Sequence, residues 1–181
     1  MITKQKAFNR AVSRFYAGKA SGDVKIVVRS SKNKQRKIKI AIINGIDDVQ
    51  VSSVAMSNRG GLCDIVLLRN TLGYTIIQTR RNGTFRFNLG NVIRNLRIRE
   101  ARAIAVENEN EPVIIPDDLL YVEGTVSAAE AWYYHKPVES ILNGSSTHPD
   151  VKKTLLSLPA VSRILTEAVE YYLSRYGNNK K

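Results

Sequence analysis

Asp117, Asp118, Glu123 and Glu130 are the best collection of carboxylates in this sequence for acid–base or metal chemistry. Metal-assisted phosphodiester hydrolysis needs such carboxylates held close together around one or two divalent ions. Adjacent aspartates usually point in different directions, so Asp117-Asp118 reads first as a turn or helix cap. His135 and His148 lack the tight spacing of a metal motif, and His148 reads as a loop residue before Pro149. Cys63 is the single cysteine, which excludes an intramolecular disulfide and a thiolate zinc cluster. It reads as a small buried hydrophobe opening a strand. No GxSxG elbow, Walker loop or dinucleotide fingerprint occurs, and Gly60-Gly61 is at best a weak phosphate cradle. A non-enzymatic protein without metal or cofactor is therefore expected.

The cations carry more information. Residues 1–106 hold 21 Lys and Arg against 5 Asp and Glu, whereas residues 107–181 hold 7 against 11. A chain so divided presents opposite surfaces to different partners, and nucleic acid is the first polyanion to consider. Two clusters stand out. "SKNKQRK" carries Lys32, Lys34, Arg36 and Lys37, and "YTIIQTRRNGTFRFNLG" carries Arg80, Arg81 and Arg86, with Arg94, Arg97 and Arg99 beyond. Long cationic side chains on an open surface contact phosphates, and arginine adds a flat fork that also stacks on bases. Phe85 and Phe87 share a strand face away from Arg86 and read as core anchors. The expected nucleic-acid-binding residues are Lys32, Lys34, Arg36, Lys37, Arg80, Arg81, Arg86, Arg94 and Arg97. Weak sequence preference and steep salt dependence should accompany them.

These residues need elements to position them. "TKQKAFNRAVSRFYAG" has helical periodicity, with Gly18 as its expected end. "DVKIVVRS" and "IKIAIIN" read as strands, the second buried on both faces. A helix capped by Asp47 or Asp48 follows, running to about Ser57, and then the strand "LCDIVLLRN". This strand–helix–strand order predicts a βαβ crossover. Alternation on both sides of Asn82-Gly83 predicts an antiparallel hairpin over residues 74–90. A short helix from Leu89 to Asn95 is expected before an extended segment, although one continuous helix also fits. Further on, "VIIP" reads as a strand, residues 126–135 and 138–142 as short helices, and residues 160–176 as an amphipathic helix.

The expected fold is α/β: a mixed, partly parallel sheet with flanking helices and an antiparallel hairpin. A basic α/β sheet domain over 1–106 would carry an acidic, mainly helical part over 107–181, packed on it or continuous with it as one domain. The apolar runs are too short to span a bilayer, and the start, "MITKQKAFNR", has no secretory core, so a cytoplasmic protein without membrane contact is expected.

The order "KIKIAIING…VQVSSVAMSNRGGLCDIVLLRN…YTIIQTRRNGTFRFNLGNVIRNL" resembles the DHH-associated domain of RecJ-like phosphoesterases. Asp64, Arg80 or Arg81, and Asn88-Leu89 would occupy that family's motif positions. The resemblance covers about a third of the chain. The glycine-rich histidine motif and the whole catalytic DHH domain are absent, so it implies a stand-alone, non-catalytic relative. It implies binding of single-stranded nucleic acid, DNA before RNA, as an accessory subunit of an archaeal DNA-replication fork with the GINS complex and the MCM helicase. A protein-interaction subunit, or an RNA-binding protein without a replication role, is the alternative. A metal-dependent single-strand nuclease using Asp117 and Asp118 is the second.

Overall fold

The computed structural model describes residues 3–80, 87–144 and 151–176. Among the described residues, six strands form one sheet: β1 (Val24–Ser30), β2 (Lys37–Asn44), β3 (Ile65–Arg69), β4 (Thr75–Thr79), β5 (Tyr133–His135) and β6 (Ser140–Asn143). Their spatial order is β1-β2-β3-β4-β6-β5. β2 and β3 run parallel, in register Ile40↔Ile65, and every other neighbouring pair is antiparallel. The fold is α/β.

Helices α1 (Lys4–Ser21) and α2 (Gln50–Met56) cover one face, and α3 (Gly90–Glu107) and α4 (Leu158–Tyr176) cover the other. Side-chain alternation in the central strands explains both layers. Ile65 and Leu67 of β3 enter the core beneath α3 and α4, whereas Val66 and Leu68 join Phe15 of α1 and Val54 of α2. α2 is the crossover between the parallel strands. Its Gln50 amide donates to Asp48 Oδ1, while Asp47 accepts from the Thr71 amide and hydroxyl. Among the described residues, no helix is long and apolar enough to cross a membrane.

Several local expectations are corrected. α1 passes through Gly18, which is buried against Val24 and Ile46, and stops before Gly22 in the left-handed conformation. β4 gives both its edges away, to β3 and to β6, so no return strand from Asn82-Gly83 pairs with Thr75–Thr79. That turn itself lies outside the described residues. The antiparallel partner of β3 is instead made by a turn at Asn70, whose side chain accepts from the Tyr74 amide.

α3 is one continuous helix to Glu107, not a short helix followed by an extended segment. Residues 113–116 form no strand; Val113 and Ile114 are exposed. The expected helix over 126–135 is a 3-10 turn at Ser127–Ala129 followed by β5, and that over 138–142 gives way to β6. β6 buries Ile141 and pairs with both β4 and β5, satisfying main-chain groups that a one-turn helix would leave open. The segment after residue 106 therefore supplies strands to the same sheet, and the charge boundary there is not a boundary of the sheet.

Candidate nucleic-acid interface

The β1–β2 turn is ordered by short polar contacts. Ser31 is buried; its hydroxyl donates to Asn33 Oδ1 at 2.7 Å and accepts from the Arg36 amide at 3.1 Å. The Ser31 amide donates to the Arg36 carbonyl, closing the turn, and Lys34 adopts a positive φ of 58°. Lys32, Lys34 and Lys37 project into solvent and Arg36 is half-buried. None of the four pairs with a carboxylate among the described residues.

Strand register shows what lies beside this turn. Ser30 opposes Lys37, the Asp64 amide donates to the Lys39 carbonyl, and Thr79 opposes Ile65. The turn, Asp64 and Arg80 thus share one end of the sheet. The Thr79 amide donates to the Glu139 carbonyl, and Glu139 Oε2 accepts from the Leu89 amide at 2.7 Å. The start of α3 is thereby fixed at that end too. Asn88 Oδ1 accepts from the Gly90 amide at 2.6 Å, a local cap for a main-chain donor without a partner inside the helix. Phe87 meets Tyr172 edge-on at 5.5 Å between ring centroids, which brings the last turns of α4 to the same place.

The remaining expected cations have different fates. Arg80 is a quarter exposed and pairs with Asp64 at 3.0 Å. Arg81 and Arg86 lie outside the described residues, as do Phe85 and His148. Arg94 is 3.7 Å from Asp117, and Arg99 is 3.9 Å from Glu167. Arg29 similarly pairs with Glu170 at 2.8 Å, and Arg10 and Arg14 face Asp48.

Arg97 corrects the sequence expectation. It is wholly buried, and its guanidinium donates to the carbonyls of Leu119, Leu120, Val122 and Gly124 at 2.6–3.1 Å. Burial lowers its pKa to about 10, still well above neutrality. It staples the 119–124 segment onto α3 and presents nothing to a phosphate.

One turn along, Glu100 is equally buried. It accepts from Trp132 Nε1 at 2.9 Å and from the Leu155 amide at 2.8 Å, and it also takes the Thr154 hydroxyl. Sequence reading missed Glu100 because a charged residue on a helix normally signals a solvated face. Its spacing from Ile93, Leu96, Arg97 and Ala101, all on the buried side, was the available signal.

Asp117, Asp118, Glu123 and Glu130 do not gather. Asp117 is exposed beside Arg94, and Glu123 is 3.8 Å from His135. Among the described residues, no three His, Cys, Asp or Glu side chains converge as a metal-holding group. Cys63 is buried, and loss of hydration raises its thiol pKa.

A groove of about 400 Å³ opens at the start of α3, lined by Asn88, Asn91, Tyr121, Tyr171, Tyr172 and Tyr176. Sequence reading placed Tyr172 in the apolar stripe of the closing helix but did not bring Tyr121, from a distant segment, beside that helix. No protein-family model, curated protein or solved structure matches this chain.

Proposed function

We propose that this protein binds single-stranded nucleic acid, without acting on it chemically, at the sheet end that carries the β1–β2 turn. One observation supports this reading most. Lys32, Lys34, Arg36 and Lys37 gather four cations within six residues on one ordered turn, with no carboxylate partner among the described residues. Unpaired, hydrated cations are the groups from which phosphates release counterions most directly. The arginines of α3 do not belong to this surface.

Fluorescence anisotropy with a labelled oligothymidylate at several salt concentrations tests the proposal. Affinity should fall steeply with salt. Replacing Lys32, Lys34, Arg36 and Lys37 together by Gln should reduce the log–log salt slope by about three. Absent binding at low salt, or an unchanged slope, would reject it. An RNA strand of matching length serves as the DNA-versus-RNA comparison.

A second reading, as a protein-interaction subunit, is favoured by Val106, Val113 and Ile114, which are 80%, 65% and 90% exposed. Such apolar side chains in water suit a protein partner. GINS and MCM, the partners implied by the resemblance, are the first to test. Retention of either after nuclease treatment, lost on replacing Val113 and Ile114 by Ser, would support this reading.

A further inference from the structure

We infer that the tyrosine-lined groove at the start of α3 is a base-stacking subsite for the single strand whose phosphates the β1–β2 turn holds. The inference rests on the nucleic-acid reading above and identifies which part of the ligand enters the groove. Tyr121, Tyr171 and Tyr176 are each between 41% and 51% exposed although they border a concavity. Arg175 stands over Tyr171 at 5.6 Å from the ring centroid, placing a further cation at the rim. Tyr172 and Tyr176 lie 5.1 Å apart with planes tilted by 40°.

The floor is the buried Phe87, Gly90 and Ala168, and polar groups stand at its rim. Asn91 carries an amide side chain at the first turn of α3, and Asn88 stands beside it. Gly90 keeps that floor low. A Cβ there would come 2.7 Å from Asn88 Oδ1, displacing the cap, and would touch the Tyr121 ring at 3.5 Å. Aromatic faces next to cations accept bases regardless of their identity, because every base has a π-face. The sheet end joins the two features: the turn precedes β2, Arg80 follows β4, and Glu139 ties that edge to the α3 start.

The test compares oligothymidylate with an abasic strand of the same length, which keeps the sugar-phosphate chain and lacks bases. The wild-type protein should prefer the strand with bases. Replacing Tyr121 and Tyr171 together by Ala should weaken oligothymidylate binding about tenfold, to the abasic level, and leave the salt slope unchanged. Tyr171→Phe, which keeps the ring, should retain the preference. The emission of buried Trp132 reports that each variant is folded. Equal wild-type affinity for both strands, or a preference surviving in the double variant, would overturn the stacking subsite alone. Failure to bind either strand would overturn the nucleic-acid reading and this inference with it.

Discussion

Arg80 Nη2 donates to Asp64 Oδ1 at 3.0 Å, while the other oxygen of that carboxylate accepts from the Lys39 amide at 2.9 Å. One half-buried carboxylate therefore joins the starts of β2 and β3 to the end of β4. It also withdraws part of the Arg80 charge from the proposed interface. Asp64→Asn should lower stability by about 1–3 kcal/mol, measured by urea unfolding followed through Trp132. The same variant should bind an oligothymidylate a few-fold more tightly, because it removes a negative charge beside phosphate-facing cations.

Arg97 spends its charge inside the fold rather than at the surface. Four carbonyls depend on its fork, and an ammonium group cannot match that geometry. Arg97→Lys should cost about 3 kcal/mol or more, since it leaves buried carbonyls unsatisfied. Nucleic-acid affinity per folded molecule should stay at the wild-type value. A selective loss of affinity without loss of stability would return Arg97 to the binding surface.

Asp47 supplies a pH signature. Hydrogen bonds from the Thr71 hydroxyl and amide hold its carboxyl below the ordinary value of 3.8. A lowered folded-state pKa means that the unfolded chain takes up the proton first as pH falls. The stabilisation is thus fully present above about pH 4 and is lost as acid titrates the folded carboxyl. Thr71→Val should be less stable than wild type near neutrality, and the difference should narrow on acidification below that point. Thermal melts across the acid range check this.

Gly60 is a steric position, because its φ is ordinary but its surroundings are closed. A Cβ there would lie 2.1 Å from the Val54 carbonyl oxygen and 2.5 Å from the Ala55 Cα, both main-chain atoms of α2. Gly60→Ala must therefore displace backbone and should destabilise by about 1–3 kcal/mol. Gly61→Ala, where a Cβ meets open space but φ is +95°, should cost less, through conformational strain alone. Urea midpoints of the two variants make the comparison.

The reasons for success and failure in reading the sequence are visible in individual elements. β2 and β3 alternate two apolar faces, and α4 repeats its apolar residues at helical spacing, so each element announces its own burial. α3 hid its length because Arg97 and Glu100 occupy its buried stripe, and apolar periodicity stops at Leu96 for any reader who scores charge as exposure. β5 and β6 are too short to carry a period of their own. They are strands because β4 offers a free edge, which no local pattern records.

By itself, the sequence determined the α/β class, the crossover between β2 and β3, the amphipathic closing helix, and the gathering of positive charge in residues 1–106. Each of these follows from residue type and spacing within one segment. Only the tertiary structure decided which cations stay free, because pairing depends on carboxylates brought from elsewhere: Asp64 to Arg80, Asp117 to Arg94, Glu170 to Arg29. It alone assembled Tyr121 with Tyr171 and Tyr176 around the start of α3. Charge is written residue by residue, but its neutralisation and the shape of a groove belong to contacts between distant segments.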